Sequence, residues 1–232
     1  MIAGPGTNRD KDLALALEMA GADATIVLAT ELAAHPEVLR NARLVGVAGG
    51  FSYGDSLGAG RMLALDLMVG IGEQLRDFVA TGRPVIGICN GFQVLTRTNL
   101  LPGSLGHNAH GRFECRWVVL EPQATSRCLW TKGIQHPIHC PIAHGEGRYV
   151  HPDPDSLAKA GQIPLRYSST NPNGSVADIA AVCNPAGNVL GLMPHPENFI
   201  VERQHPHHSR SRKSDNLGLR LFENGVAAAA EM

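Results

Sequence analysis

Between residues 24 and 98, short apolar runs alternate with helix-forming stretches, and no other pattern in the chain restricts its fold as tightly. Residues 24–29 (ATIVLA), 43–48 (RLVGVA) and 84–88 (PVIGI) are each flanked by helical segments: 10–20 before a stop at Gly21, then 31–40, 57–69, 71–80 and 91–98. Runs this short and this continuously apolar belong to strands buried on both faces. That places them in a largely parallel sheet covered by helices. The expected class is α/β.

After residue 111 the texture changes. Residues 113–121 (FECRWVVLE), 135–144, 165–167, 178–183 and 189–193 read as strands with little helix between them. They predict antiparallel additions to the sheet or a small second layer, before a closing helix at 216–230. At 232 residues, with 44% hydrophobic and 18% charged, the chain is long enough for a sizeable core and reads as one domain over 1–232. Its 20 basic and 21 acidic residues nearly cancel, so composition gives no pull toward nucleic acid or an anionic membrane. No apolar run approaches the length of a membrane span, and no export signal opens the sequence. Five unpatterned cysteines argue for free thiols and a reducing compartment, which favours the cytoplasm.

One of those cysteines sits at the point where the strand 84–88 passes into a helix. Gly87-Ile88-Cys89-Asn90-Gly91 is the cysteine form of the nucleophile elbow, in which small neighbours let a strained turn project the nucleophile above the carboxyl end of the sheet. A helix N-terminus there favours thiolate, and the Asn90 N–H is placed to stabilise an oxyanion. A buried structural cysteine is the competing reading. The second constellation is Met193-Pro194-His195-Pro196-Glu197. Pro196 disfavours helix at His195, and in extended backbone His195 and Glu197 project to one side. Glu197 then fixes the imidazole tautomer and leaves the other ring nitrogen for Cys89. An exposed proline-rich turn is the bland alternative to this second pattern. Read together, the two supply a nucleophile, a base and its orienter.

These residues resemble the class I (triad) glutamine amidotransferases, and within them the glutaminase subunits of phosphoribosylformylglycinamidine synthase. The resemblance runs from about Gly4 to the final helix. It rests on residues 49–55 (GGFSYGD), 87–93 (GICNGFQ), 100–103 (LLPG), 115–117 (CRW), 141–149 (PIAHGEGRY), 171–179 (NPNGSVADI) and 193–197 (MPHPE). It implies a flavodoxin-like fold and a triad of Cys89, His195 and Glu197. It further implies an oxyanion hole from the backbone N–H groups of Gly50 and Asn90, and a glutamine contact from Gln93. The implied partners are L-glutamine, an ATP-dependent PurL synthetase subunit and a small bridging PurS subunit. On this resemblance the chain itself carries no cofactor, ATP and Mg being used by the synthetase. HGEGR at 144–148 is expected at the site rim or the partner interface. A free-standing γ-glutamyl hydrolase with the same triad remains open.

Two departures stand out. Only Met1-Ile2-Ala3 precede Gly4-Pro5-Gly6, where the family has a full strand, so neighbouring backbone groups are expected to be left exposed. Arg9 stands where the family often has Cys. Cys128, His136, His139 and Cys140, and later His205, His207 and His208, lack zinc-ligand spacing, and no metal is expected. The polar, histidine-rich segment 204–214 reads as an exposed loop.

Overall fold

The computed structural model describes residues 1–206 and 217–232. Along the first half run β1 (Ile2–Ala3), α1 (Asp10–Met19), β2 (Val27–Leu28), α2 (Ala29–Ala34), α3 (Glu37–Asn41), β3 (Val45–Val47), α4 (Arg61–Ala80), β4 (Val85–Ile88) and α5 (Asn90–Arg97). The second half adds β5 (Ser104–Gly106), β6 (Glu114–Pro122), β7 (Ile138–His144), β8 (Arg148–Val150), α6 (Pro154–Lys159), β9 (Leu165–Ser168), β10 (Ile179–Cys183), β11 (Val189–Leu192) and α7 (Leu219–Ala230). Of the segment expected as a loop at 204–214, residues 207–214 lie outside the described residues.

Nine strands form one continuous sheet in the order β2-β1-β3-β4-β11-β10-β9-β6-β7. From β2 to β11 every pairing is parallel; from β11 to β7 every pairing is antiparallel. Of the two arrangements left open by the sequence, the later strands therefore extend the sheet, while β5 and β8 make a separate antiparallel pair. β3, β4, β10 and β11 are buried along their whole length, as their unbroken apolar sequences require. β7 alternates, with residues 138, 140, 142 and 144 buried and those between them half-buried.

Several boundaries differ from the sequence pattern for local reasons. The helix expected at 31–40 is split at Pro36, which has no N–H to continue a ladder, into α2 and α3. The stretches at 57–69 and 71–80 instead join into α4, kinked at Ile71 (φ −142°) just after Gly70. The strand expected at 24–29 shrinks to Val27–Leu28, because β1 offers only two residues to pair with. Residues 22–25 and 41–44 run on past the end of β1, and between them opens a groove of about 520 Å³, floored by Val226, Ala229 and Ala230 of α7. The Met1 ammonium lies at its edge, donating to the Thr25 carbonyl at 2.8 Å, and burial lowers its pKa.

Candidate active site

β4 delivers Cys89 into a backbone conformation that non-glycine residues avoid, φ 51° and ψ −104°. Such strain costs about 1–3 kcal/mol and persists only where its surroundings hold it. Here the Cys89 N–H donates to the Leu192 carbonyl at 2.8 Å, and its own carbonyl accepts the Gln93 N–H at 3.1 Å. Gly91 makes the turn possible: a Cβ there would lie 2.0 Å from the Val47 carbonyl oxygen. The thiol is thus fixed at the first turn of α5, where unpaired N–H groups favour an anion.

β11 brings His195 to the same spot. His195 follows Pro194, and its N–H donates to the Pro141 carbonyl of β7 at 2.8 Å. The segment is not extended through Glu197, as the sequence suggested; residues Pro196–Asn198 form a single 3-10 turn. The pair still meets, with His195 Nδ1 2.5 Å from Glu197 Oε1, and both side chains are buried. Burial of the ring works against its charge. The Glu197 carboxylate, then the Cys89 thiolate and the hydrogen bonds to both, outweigh it and push the His195 pKa up to about 10. Gly49, two residues beyond β3, is the gap that lets Cys89 and His195 approach. A Cβ on it would sit 3.1 Å from His195 Cε1 and 3.3 Å from Cys89 Cβ.

Around this trio lies a polar network. Gly50 (φ 102°) turns the chain back, and its carbonyl accepts the Asn8 N–H at 3.1 Å. Gly50 lies in the loop after β3, while Asn90, directly after Cys89, is the first residue of α5. The Asn90 side chain is committed elsewhere, donating to Asp55 Oδ1 at 3.1 Å and Gln93 Oε1 at 3.0 Å while accepting from the Ser52 hydroxyl. Gln93 in turn donates to the Glu146 carbonyl at 2.7 Å. Both ends of its amide are therefore engaged within the protein, tying α5 to the 144–148 segment. Burial, then the nearby Glu146, holds the Asp55 carboxyl above its ordinary pKa.

The 144–148 segment is less of a rim than its polarity suggested, since His144 is buried and only Arg148 is exposed. Its anchor is Asn108, which carries no sequence signature. Asn108 donates to the carbonyls of Arg112 and His144 and accepts the Gly147 N–H. Asn173, from the 171–179 motif, donates to the Gly147 carbonyl at 2.8 Å. Outside, Phe51 and Phe113 stack at 6.2 Å, both partly exposed. Among the described residues no three His, Cys, Asp or Glu side chains converge as metal ligands. His139 and His205 pack instead against each other's rings, and Cys128 lies beside Cys183.

A comparison with protein families matches residues 1–227 to the CobB/CobQ-like glutamine amidotransferase domain. Subunit PurQ of phosphoribosylformylglycinamidine synthase from Treponema denticola is 44% identical, over 95% of this chain and 94% of that one. The corresponding subunit from Dehalococcoides mccartyi is 38% identical, over 98% and 96%. Among solved structures, PurLQS from Thermotoga maritima aligns at a TM-score of 0.81 and 34% identity, covering 97% of this chain and 95% of that one. A glutamine amidotransferase from Thermotoga maritima shares the fold at 0.58 and 15% identity, covering 88% and 76%. By sequence and by fold, this chain belongs to the PurQ family of glutamine amidotransferases.

Proposed function

We propose that this chain is the glutaminase component of a phosphoribosylformylglycinamidine synthase, with Cys89, His195 and Glu197 as its catalytic triad. The observation that carries the reading is a thiol on a strained turn beside a buried imidazole whose Nδ1 is 2.5 Å from a carboxylate. In the first step the Cys89 thiolate attacks the carboxamide carbon of L-glutamine. The N–H groups of Asn90 and Gly50 stabilise the resulting oxyanion. As the C–N bond breaks, the His195 imidazolium protonates the leaving nitrogen, giving ammonia and a γ-glutamyl thioester. The now neutral His195 takes a proton from water as the water attacks the thioester. Collapse expels the Cys89 thiolate and glutamate, and restores the starting pair.

Ammonia released to solvent would mostly become ammonium and lose its nucleophilicity. On this reading it passes to a PurL synthetase subunit that turns formylglycinamide ribonucleotide into its amidine. The likeness to the PurQ subunits and to PurLQS described above supports that assignment. A small PurS subunit completes the assembly, ATP and Mg belong to the synthetase, and the working compartment is the cytoplasm. No described helix is long and apolar enough to cross a membrane. Two measurements test the reading. A diazoketone analogue of glutamine, followed by peptide mass mapping, is expected to label Cys89, and labelling elsewhere would overturn the site. Glutaminase activity is expected to rise on adding the synthetase; full activity in isolation would instead favour a free-standing hydrolase.

A further inference from the structure

Cys89 lies on a closed circuit of contacts. The Ala143 carbonyl, near the end of β7, is 3.9 Å from Cys89 Sγ. Two residues on, a Cβ at Gly145 would lie 3.8 Å from the Phe113 ring. That ring stacks on Phe51, with 6.2 Å between centroids and 29° between planes. Phe51 follows Gly49 and Gly50, and a Cβ at Gly49 would lie 3.3 Å from Cys89 Cβ, which closes the circuit. Its outer arc is a pair of phenylalanine rings.

Of all the phenylalanine, tyrosine and tryptophan side chains in the chain, only these two are exposed, Phe51 by 38% and Phe113 by 53%. Phe51 also has left-handed backbone, φ 54° and ψ 43°, a conformation that bulky side chains avoid. The loop around it enforces that conformation. The Phe51 carbonyl accepts the Gly54 N–H at 2.8 Å, the Tyr53 N–H donates to the Pro5 carbonyl at 2.7 Å, and the Ser52 N–H donates to Asn90 Oδ1 at 3.3 Å. Leu57, further along the same loop, repeats the arrangement, left-handed at φ 63° and 73% exposed. An apolar side chain held in water at a conformational cost recovers that cost only when another molecule covers it.

We propose that Phe51 and Phe113 anchor the synthetase subunit, entering an apolar pocket of that partner and sealing the site beside Cys89 against water. The inference rests on the glutaminase reading. Ammonia has to reach the partner without meeting solvent, so the partner's contact must border the site, and this pair does so through measured contacts on both sides of Cys89. Aromatic side chains dominate the energy of such contacts, because they bury a large rigid area at little cost in side-chain entropy. Charge narrows the partner further. Arg112, beside Phe113, and Arg148, beyond Gly145, are exposed and form no ion pair among the described residues. Asn108 ties their segments together, donating to the Arg112 and His144 carbonyls and accepting the Gly147 N–H. The pocket that receives the two rings therefore carries an acidic rim opposite these guanidinium groups.

The test titrates the full chain with its synthetase. Phe113→Ala removes one ring of the pair and is expected to raise Kd for the synthetase about 30-fold, whereas Phe113→Trp should stay within about threefold of the parent. At saturating synthetase, Phe113→Ala should also leak, giving more glutamate per amidine formed than the parent does. Phe113 touches neither the triad nor the proposed oxyanion donors, so Cys89 labelling by the diazoketone in the isolated variant should stay within about twofold of the parent. Arg112→Glu should slow association about tenfold, and the difference should shrink in about 0.5 M salt. Leu65→Ser, on an exposed apolar residue of α4, serves as the control and should leave Kd unchanged. A Phe113→Ala variant that labels normally and binds the synthetase within threefold of the parent overturns the proposal, as does equal weakening by Leu65→Ser. So does a dimer of the isolated chain that Phe113→Ala dissociates, which would assign the rings to a second copy. A parent chain that binds no synthetase at all would instead overturn the glutaminase-subunit reading beneath it.

Discussion

Gly49→Ala is the smallest change that separates the proposed nucleophile, Cys89, from its proposed base, His195. Gly49 does not use a left-handed conformation, so alanine meets no backbone penalty and the effect is purely steric. The new Cβ would face three atoms: the Ile88 carbonyl oxygen at 3.0 Å, His195 Cε1 at 3.1 Å and Cys89 Cβ at 3.3 Å. Carbon–carbon contacts settle at about 3.5–4.0 Å, so roughly 0.4–0.9 Å must be found somewhere. β4 sits between β3 and β11 in the sheet and cannot yield easily. The imidazole, on a turn beyond the end of β11, is the part that gives. A misplacement of 1 Å costs about 10²-fold in rate, so kcat should fall about 10- to 10²-fold. Overpacking should cost about 1–2 kcal/mol of stability, a fall in Tm of roughly 2–8 °C, leaving the protein folded at assay temperature. Glutamate release at saturating glutamine, beside a thermal melt, reads both quantities. A folded variant with kcat within twofold of the parent would refute the idea that Gly49 sets the Cys89–His195 approach.

Two further outcomes follow from the structure. The His195 pKa is raised from 6.5 to about 10, so the stability it contributes is full below about pH 6.5 and lost as pH climbs through 10. Glu197→Gln removes the carboxylate behind that shift. Denaturant midpoints measured from pH 6 to pH 10 should therefore decline less steeply in the variant, and parallel curves would contradict the assignment. Gly72 lies inside α4 with no atom nearer than 3.8 Å to a Cβ built there, so Gly72→Ala should add about 0.5–1 kcal/mol and raise Tm by roughly 1–4 °C; a lower Tm would refute it.

The elbow and the His195–Glu197 pair were legible because their constraints are local. Gly87 and Gly91 around Cys89, and the prolines around His195, restrict backbone geometry whatever the rest of the chain does. Even so, the local reason differs for the second pair, which meets across a 3-10 turn rather than along the extended chain that its prolines suggest. Elements whose extent depends on a distant partner were less readable. Residues 24–26 have strand-forming side chains but no strand, because β1 stops short of them. β5 and β8 pair across more than forty residues and carry no pattern of their own.

Asn108 is the sharpest case of a residue that matters through its contacts alone. In sequence it is one polar residue in an unremarkable loop, 36 positions from His144. In the fold its amide binds two carbonyls, one N–H and one imidazole, and so decides which nitrogen of His144 carries the proton. No periodicity or motif could encode that, because protonation state is a property of the whole shell around the ring. The proposed triad obeys the same logic: Cys89 and His195 are readable as residue types, but the charge of His195 is set by its burial and by Glu197 and Cys89 around it. What a sequence reveals most readily is where reactive side chains stand. Which protons they hold is settled by neighbours that arrive from β7, from the 144–148 segment and from the loop at 108–112.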